Sequence, residues 1–167
     1  MAATILNTFL GLGASAWAIL FSAIMAGVYA FFSSMWNRKT VRDRETIVLL
    51  NQTSWDKDYI QARNTFAKHR DNANGLTKCC EDPNSEEYIA IVQFLNYYEL
   101  IAIGIGHGIL SASVYQSFFR TRYVKDWQKS KAFIASIRIN SKNELIFIKY
   151  EELAKKWEKK HNITSDE

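Results

Sequence analysis

Asn96 and Glu99 lie three residues apart in LNYYELIAIGIGHGIL (95–110), a stretch that is otherwise apolar nearly all round. Helical spacing puts the two on one face of a helix buried at the centre of a bundle. A carboxylate in such surroundings must be paired, or its pKa must rise until it is neutral. Arg120 and Arg122, on the next helical segment, are the nearest cations for it. Two chemistries follow. One is a structural polar clamp of Asn96, Glu99, Arg120 and Arg122 that fixes helix register. The other is a polar pocket in which Glu99 transfers a proton or captures a ligand. The clamp is favoured, because buried ion pairs mostly serve structure and perturbed carboxylates mark sites only statistically.

Arg63, Lys68, His69 and Arg70 form a second constellation, a basic patch at the end of a helical segment leading into a loop. Phosphate groups of a small anionic nucleotide would be attracted there. Cations at a helix C-terminus are also the ordinary complement of the helix dipole, and that reading is the stronger one. His107 stands between two glycines and reads as a C-terminal cap. Gly104, Gly106 and Gly108 have no strand before them, so they do not form a dinucleotide loop, and close helix packing is the expected reason for them. Cys79 and Cys80 are adjacent; a vicinal disulfide is strained, and a cytoplasmic domain keeps its thiols reduced. No histidine has a spaced acidic or thiol partner, so no zinc or di-iron site is expected. Neither a nucleophile elbow nor a Walker loop is present. The expectation is therefore no catalytic residue, no metal and no cofactor.

The elements that must position these residues begin with an apolar N-terminus. Residues 2–37 contain no Lys, Arg, Asp or Glu, and Arg38, Lys39, Arg42 and Arg44 follow at once. The apolar run over about 6–32 exceeds the ~20 residues needed to cross a ~30 Å hydrocarbon core. Tyr29, Phe31, Phe32 and Trp36 sit at its end, where an aromatic belt belongs. A cleaved signal peptide fits poorly, since the basic residues follow the segment instead of preceding it. The segment is expected to be a single-pass anchor in the inner membrane, with its N-terminus outside and the rest cytoplasmic under the positive-inside rule. Ala14, Ala18, Ser22, Ala26 and Ala30 recur every fourth residue and form an inclined ridge of small side chains. Such a ridge suits helix association in lipid, hence homo-oligomerisation.

The chain has 167 residues and a net charge of +4. The basic excess is modest and much of it sits beside the membrane segment, where anionic lipid is its natural partner. It is too thin for binding DNA or RNA duplexes. Helical periodicity dominates, and Pro83 is the single proline. The expected fold is all-α, one N-terminal transmembrane helix followed by a cytoplasmic helical bundle. The expected division is 1–37 anchor, 38–53 juxtamembrane helix, 54–160 helical domain and 161–167 tail. Ser54 is expected to cap a helix to about Arg70, Ser85 one to about His107, and Ser111 one to about Ile137, with a bend near 120–123. A last helix is expected over 144–160; residues 145–150 are β-prone and are the main threat to an all-α assignment.

The runs RDRETIVLLN (42–51), DYIQARNTF (58–66), IVQFLNYYELIAIGIGHGIL (91–110) and FFRTRYVKDW (118–127) resemble the bacterial and phage family catalogued as DUF4760. The likeness covers about 42–157. It implies an N-terminal membrane helix and a compact helical domain, places Asn96, Glu99 and Gly104 in the family motif, and supplies no catalytic residue. The build is also similar to that of membrane-anchored prokaryotic antiviral effectors that respond to cyclic oligoadenylates, a likeness of architecture alone. Two functions follow as expectations. The first is a signal-responsive membrane effector or sensor, possessing a cytoplasmic domain that binds a cyclic-nucleotide-like ligand and oligomerises. The second is a passive membrane-tethered interaction module with neither ligand nor catalysis.

Overall fold

The computed structural model describes residues 14–72 and 75–159, with side chains from residue 16 onward. Every regular element among them is helical. Six α-helices follow in order: α1 (Ala14–Trp55), α2 (Lys57–Arg70), the single turn α3 (Gly75–Lys78), α4 (Glu86–Gly106), α5 (Ala112–Ser141) and α6 (Ile148–Lys159). A 3-10 turn, Cys79–Glu81, extends α3. The chain divides into two compact units, Met1–Val41 and Arg42–Glu167.

The first unit is the apolar part of α1, a helix long and apolar enough to span a membrane. Its large side chains are exposed, Ile19, Phe21, Ile24, Tyr29 and Trp36 each by 60–79%. A surface apolar all round belongs in lipid or against other apolar helices. Of the small-residue ridge, Ala18, Ser22, Ala26 and Ala30 lie on this helix and are exposed, and Ser22 donates to the Ile19 carbonyl. Ala14 is the first residue of the helix; its side chain lies outside the described set.

In the second unit α2 packs along α4, and α6 packs on both α4 and α5. The caps are local chemistry. Ser85 Oγ accepts from the Tyr88 amide and Ser111 Oγ from that of Val114, as their positions before helical segments require. Glu86 and Glu87 add negative charge at the first turn of α4. The expected cap at Ser54 is not made. Thr53 and Ser54 lie inside α1 and donate back to carbonyls one turn earlier, so the helix runs through them. Asp56 caps α2 instead, accepting from the amides of Asp58 and Tyr59. α5 is one uninterrupted helix of 30 residues, with no break at 120–123 and an end four residues beyond Ile137. Lys142 then turns the chain in the left-handed region. Residues 145–150 form no strand: Phe147 also has positive φ and is buried, and α6 starts only at Ile148.

Two joints hold the α4–α5 turn within this unit, one to α1 and one to α4. Thr46 is fully buried; its hydroxyl donates to the Arg42 carbonyl and accepts from the Ser111 amide at 2.7 Å. The turn before Ser111 wraps on Gly104, whose carbonyl accepts from both Ile109 and Leu110. A Cβ on Gly104 would lie 2.7 Å from Leu110 Cδ1, so a larger residue must push a buried leucine aside. Gly106, by contrast, faces open space, so close packing explains only the first of these glycines.

Thr46→Val should lower the unfolding free energy of the full-length protein in detergent by about 1–3 kcal/mol, because the buried Ser111 amide loses its acceptor. Thr46→Ser should restore most of that loss. Equal stability of the valine and serine variants in chemical denaturation would show that the joint carries no weight.

Candidate functional site

A helical turn whose apolar face carries Tyr123, Trp127 and Phe133 delivers one carboxylate, Asp126, to the interior of the bundle. Asp126 is 0% exposed. Its Oδ1 accepts from Arg70 Nη1 at 2.7 Å, its Oδ2 accepts from the Tyr98 hydroxyl at 2.7 Å, and Arg122 Nε stands 3.8 Å away. Burial pushes its pKa up, and the bonds from Arg70 and Tyr98 pull the other way. The folded carboxyl therefore titrates above its unfolded counterpart. Across that window the folded state binds more protons, so this group's contribution to stability falls as pH rises. The carboxylate joins the C-terminal end of α2 to α4 and α5.

Aromatic rings enclose it. Tyr98 lies 4.7 Å from both Phe94 and Tyr123 and 5.0 Å from Tyr150 by ring centroids. Trp127 and Trp157 close the cluster over Tyr150 and Tyr123. The phenols cross-link helices: Tyr123 donates to the Tyr98 carbonyl, and Tyr150 donates to the Tyr123 carbonyl. Burial raises the pKa of all three phenols. Asp126 is thus fully buried within an aromatic core.

The four residues of the expected clamp are distributed differently. Both Glu99 oxygens accept backbone amides at the start of α6, Lys149 at 3.1 Å and Tyr150 at 2.6 Å. Glu99 thus caps α6 from a neighbouring helix, satisfying two of the amides that a helix start leaves open. Arg120 donates to the Trp157 carbonyl, Arg122 stands beside Asp126, and Asn96 is exposed. Among the described residues no ion pair joins Glu99 to either arginine, because α6 occupies the carboxylate. Asp126 itself was absent from the expected set. The signal for it is its place on the Tyr123–Trp127–Ser130–Phe133 stripe, with Arg122 one turn earlier.

The basic patch also separates. Arg70 turns inward to Asp126 and holds Asp71 through two further bonds, leaving little of its guanidinium for a phosphate. Arg63 is half-buried and reaches Asn64, while Lys68 is exposed. His69 takes a separate path, into a cleft of about 470 Å³ lined by His69, Asn72, Lys78, Cys79, Asp82 and Glu87, among others. Its Nδ1 is 3.4 Å from Cys79 Sγ, and its Nε2 is buried with no hydrogen-bond partner among the described residues. Gly75 makes the approach feasible: a Cβ there would lie 2.4 Å from the His69 carbonyl oxygen. The Cys79 thiol donates to the Gly75 carbonyl. Its pKa is raised by burial, then by the charge of Glu87 and by Cys80, so the thiolate needed for nucleophilic attack is disfavoured. Among the described residues no group of three or more His, Cys, Asp or Glu side chains has the spacing to hold a metal ion. His107 is the C-cap residue of α4.

Fold and site together define an all-helical protein with a long apolar N-terminal helix and a bundle organised around a buried carboxylate. The chain belongs to the DUF4760 family, a domain of unknown function, whose model matches residues 8–157. No curated protein and no solved structure matches it.

Glu99→Ala should lower stability by about 1–2 kcal/mol, the scale of a lost helix cap. Glu99→Gln, which keeps one acceptor and loses the charge, should cost less. Hydrogen exchange at the Lys149 and Tyr150 amides should accelerate in both variants; unchanged protection there would contradict the cap.

Proposed function

We propose that this chain is a membrane-anchored, signal-responsive module without catalytic activity, whose bundle faces the cytoplasm and receives a small ligand in the His69–Cys79 cleft. The observation that carries this reading is covalent adjacency. His69 enters the cleft, and the next residue, Arg70, grips Asp126 in the core. A ligand that shifts the end of α2 acts on the node where α2, α4 and α5 meet. The lining includes Lys78 and His69 as well as Glu81, Asp82 and Glu87, so a fitting ligand offers both acidic and amino groups. A purine nucleotide has this character, with phosphate for Lys78 and base amino groups for the carboxylates. The positively charged exit after residue 37 supports a cytoplasmic bundle. The exposed ridge of Ala18, Ser22, Ala26 and Ala30 supports self-association in the membrane. A role in prokaryotic antiviral defence rests on the likeness of build alone.

A second reading, a ligand-free interaction module, draws on a groove of about 630 Å³ between α2 and α4. Tyr59, Phe94 and Tyr97 form its floor, and Asp58 and Glu86 belong to its lining. Such a groove suits a basic, apolar helix of a partner protein.

Calorimetric titration of the detergent-solubilised full chain with cyclic oligoadenylates and purine mononucleotides separates the two. The ligand reading expects saturable binding by at least one of them, weakened about tenfold or more by His69→Ala, the loss of one charged or polar contact. Absence of binding across the set, or binding unchanged in His69→Ala, would overturn the cleft assignment.

A further inference from the structure

The α4–α5 turn is held beside the residues that follow the apolar segment. Arg42 Nη1 lies 3.7 Å from where a Cβ on Gly108 would stand, and Thr46 holds the Ser111 amide. Arg42 follows Trp36 by six residues, at most ~20 Å of fully extended chain. The residue that the turn packs beside is thus tethered by a short length of chain to the end of the apolar segment. The turn presents Ile109 at 62% exposure, with Ile103 also uncovered nearby on α4. Next to it, the ends of α4 and α6 border a groove of about 500 Å³. Its apolar lining includes Ile103, Ile105 and Leu153, and its polar lining is His107, Lys149, Lys156 and Glu152. Glu152 is paired with Lys149 at 2.8 Å, and among the described residues Lys156 has no ion-pair partner.

We propose that this end of the bundle is a second membrane-contacting surface, on which the 107–110 turn enters the interface and the α4–α6 groove seats the headgroup of an anionic phospholipid. The inference rests on the anchor reading given above. Apolar residues on a turn, beside cations and an apolar lining, match the layered chemistry of a bilayer interface, acyl chains below and phosphates above. Contact at this end ties Arg42, Thr46 and the start of α5 to lipid composition.

The test uses full-length protein reconstituted in vesicles, with an environment-sensitive fluorescent amino acid placed singly at positions 25, 109 or 125. Vesicles are phosphatidylcholine alone or with phosphatidylserine. The probe at 109 should be quenched by nitroxide-bearing lipid and shielded from aqueous iodide, whereas the one at 125, on exposed Lys125, should show the reverse. Phosphatidylserine should increase the shielding at 109, and Lys149→Glu with Lys156→Glu should reduce that increase about fivefold per lysine. If 109 is as open to iodide as 125 while 25 is quenched from the lipid, the surface is refuted and the anchor stands. If 25 also behaves as aqueous, the anchor falls with it. If phosphatidylserine has no effect on 109, or the double variant responds to it as the native protein does, the headgroup site is wrong.

Discussion

A single carboxylate sits where three helices converge, and the second unit is arranged to satisfy it. Removing Asp126 from water costs several kcal/mol unless donors replace the solvent. The fold supplies two donors, Arg70 from the end of α2 and Tyr98 from α4, and places the Arg122 charge 3.8 Å away, one turn earlier on α5. Arg70 and Tyr98 are themselves constrained. Arg70 is held by Asp71, and Tyr98 is packed among Phe94, Tyr123 and Tyr150. A shift of any one helix leaves a buried charge short of a partner. Register is thereby specified more sharply than apolar packing alone would achieve.

The other polar joints work on the same logic at the edges of the core. Glu99 answers two open amides at the start of α6, and Thr46 answers one at the start of α5. Arg138 completes the set on the far side of α6, binding Glu151 at 2.7 Å and the Ile146 carbonyl. Every joint connects a side chain on one helix to a neighbouring helix or to the loop before it. The short helices gain from this most, since a 12-residue helix such as α6 is marginal without tertiary support.

Local chemistry was legible in the sequence, and long-range pairing was not. Ser85 and Ser111 cap their helices because the capping bond spans three residues. The apolar, charge-free N-terminus marks a long exposed helix by composition. Ser54 misled because Asp56 competes for the same role two residues on, and the longer helix wins by back-bonding Thr53 and Ser54. Glu99 reads as buried and in need of a partner; it is half-buried, and its partner is backbone on α6, which no charge pattern advertises. Asp126 escaped notice because VKDWQK reads as a solvated stretch until its position on the aromatic stripe is counted. His69 and Arg70, adjacent in one basic run, point to different places, and only the fold reveals which cation is engaged.

The claim on which the account rests is that Asp126 and Arg70 act as one unit in holding α2 to the core. A double-mutant cycle on the full-length protein in detergent, with Arg70→Met, Asp126→Asn and the pair, measures it directly. Each single change should cost about 3 kcal/mol, since it leaves a partly or wholly buried partner uncompensated. The double variant should cost much less than the sum, with a coupling of about 2 kcal/mol. Strictly additive costs would mean that the carboxylate and guanidinium are stabilised independently, and the node would lose its place at the centre of the fold.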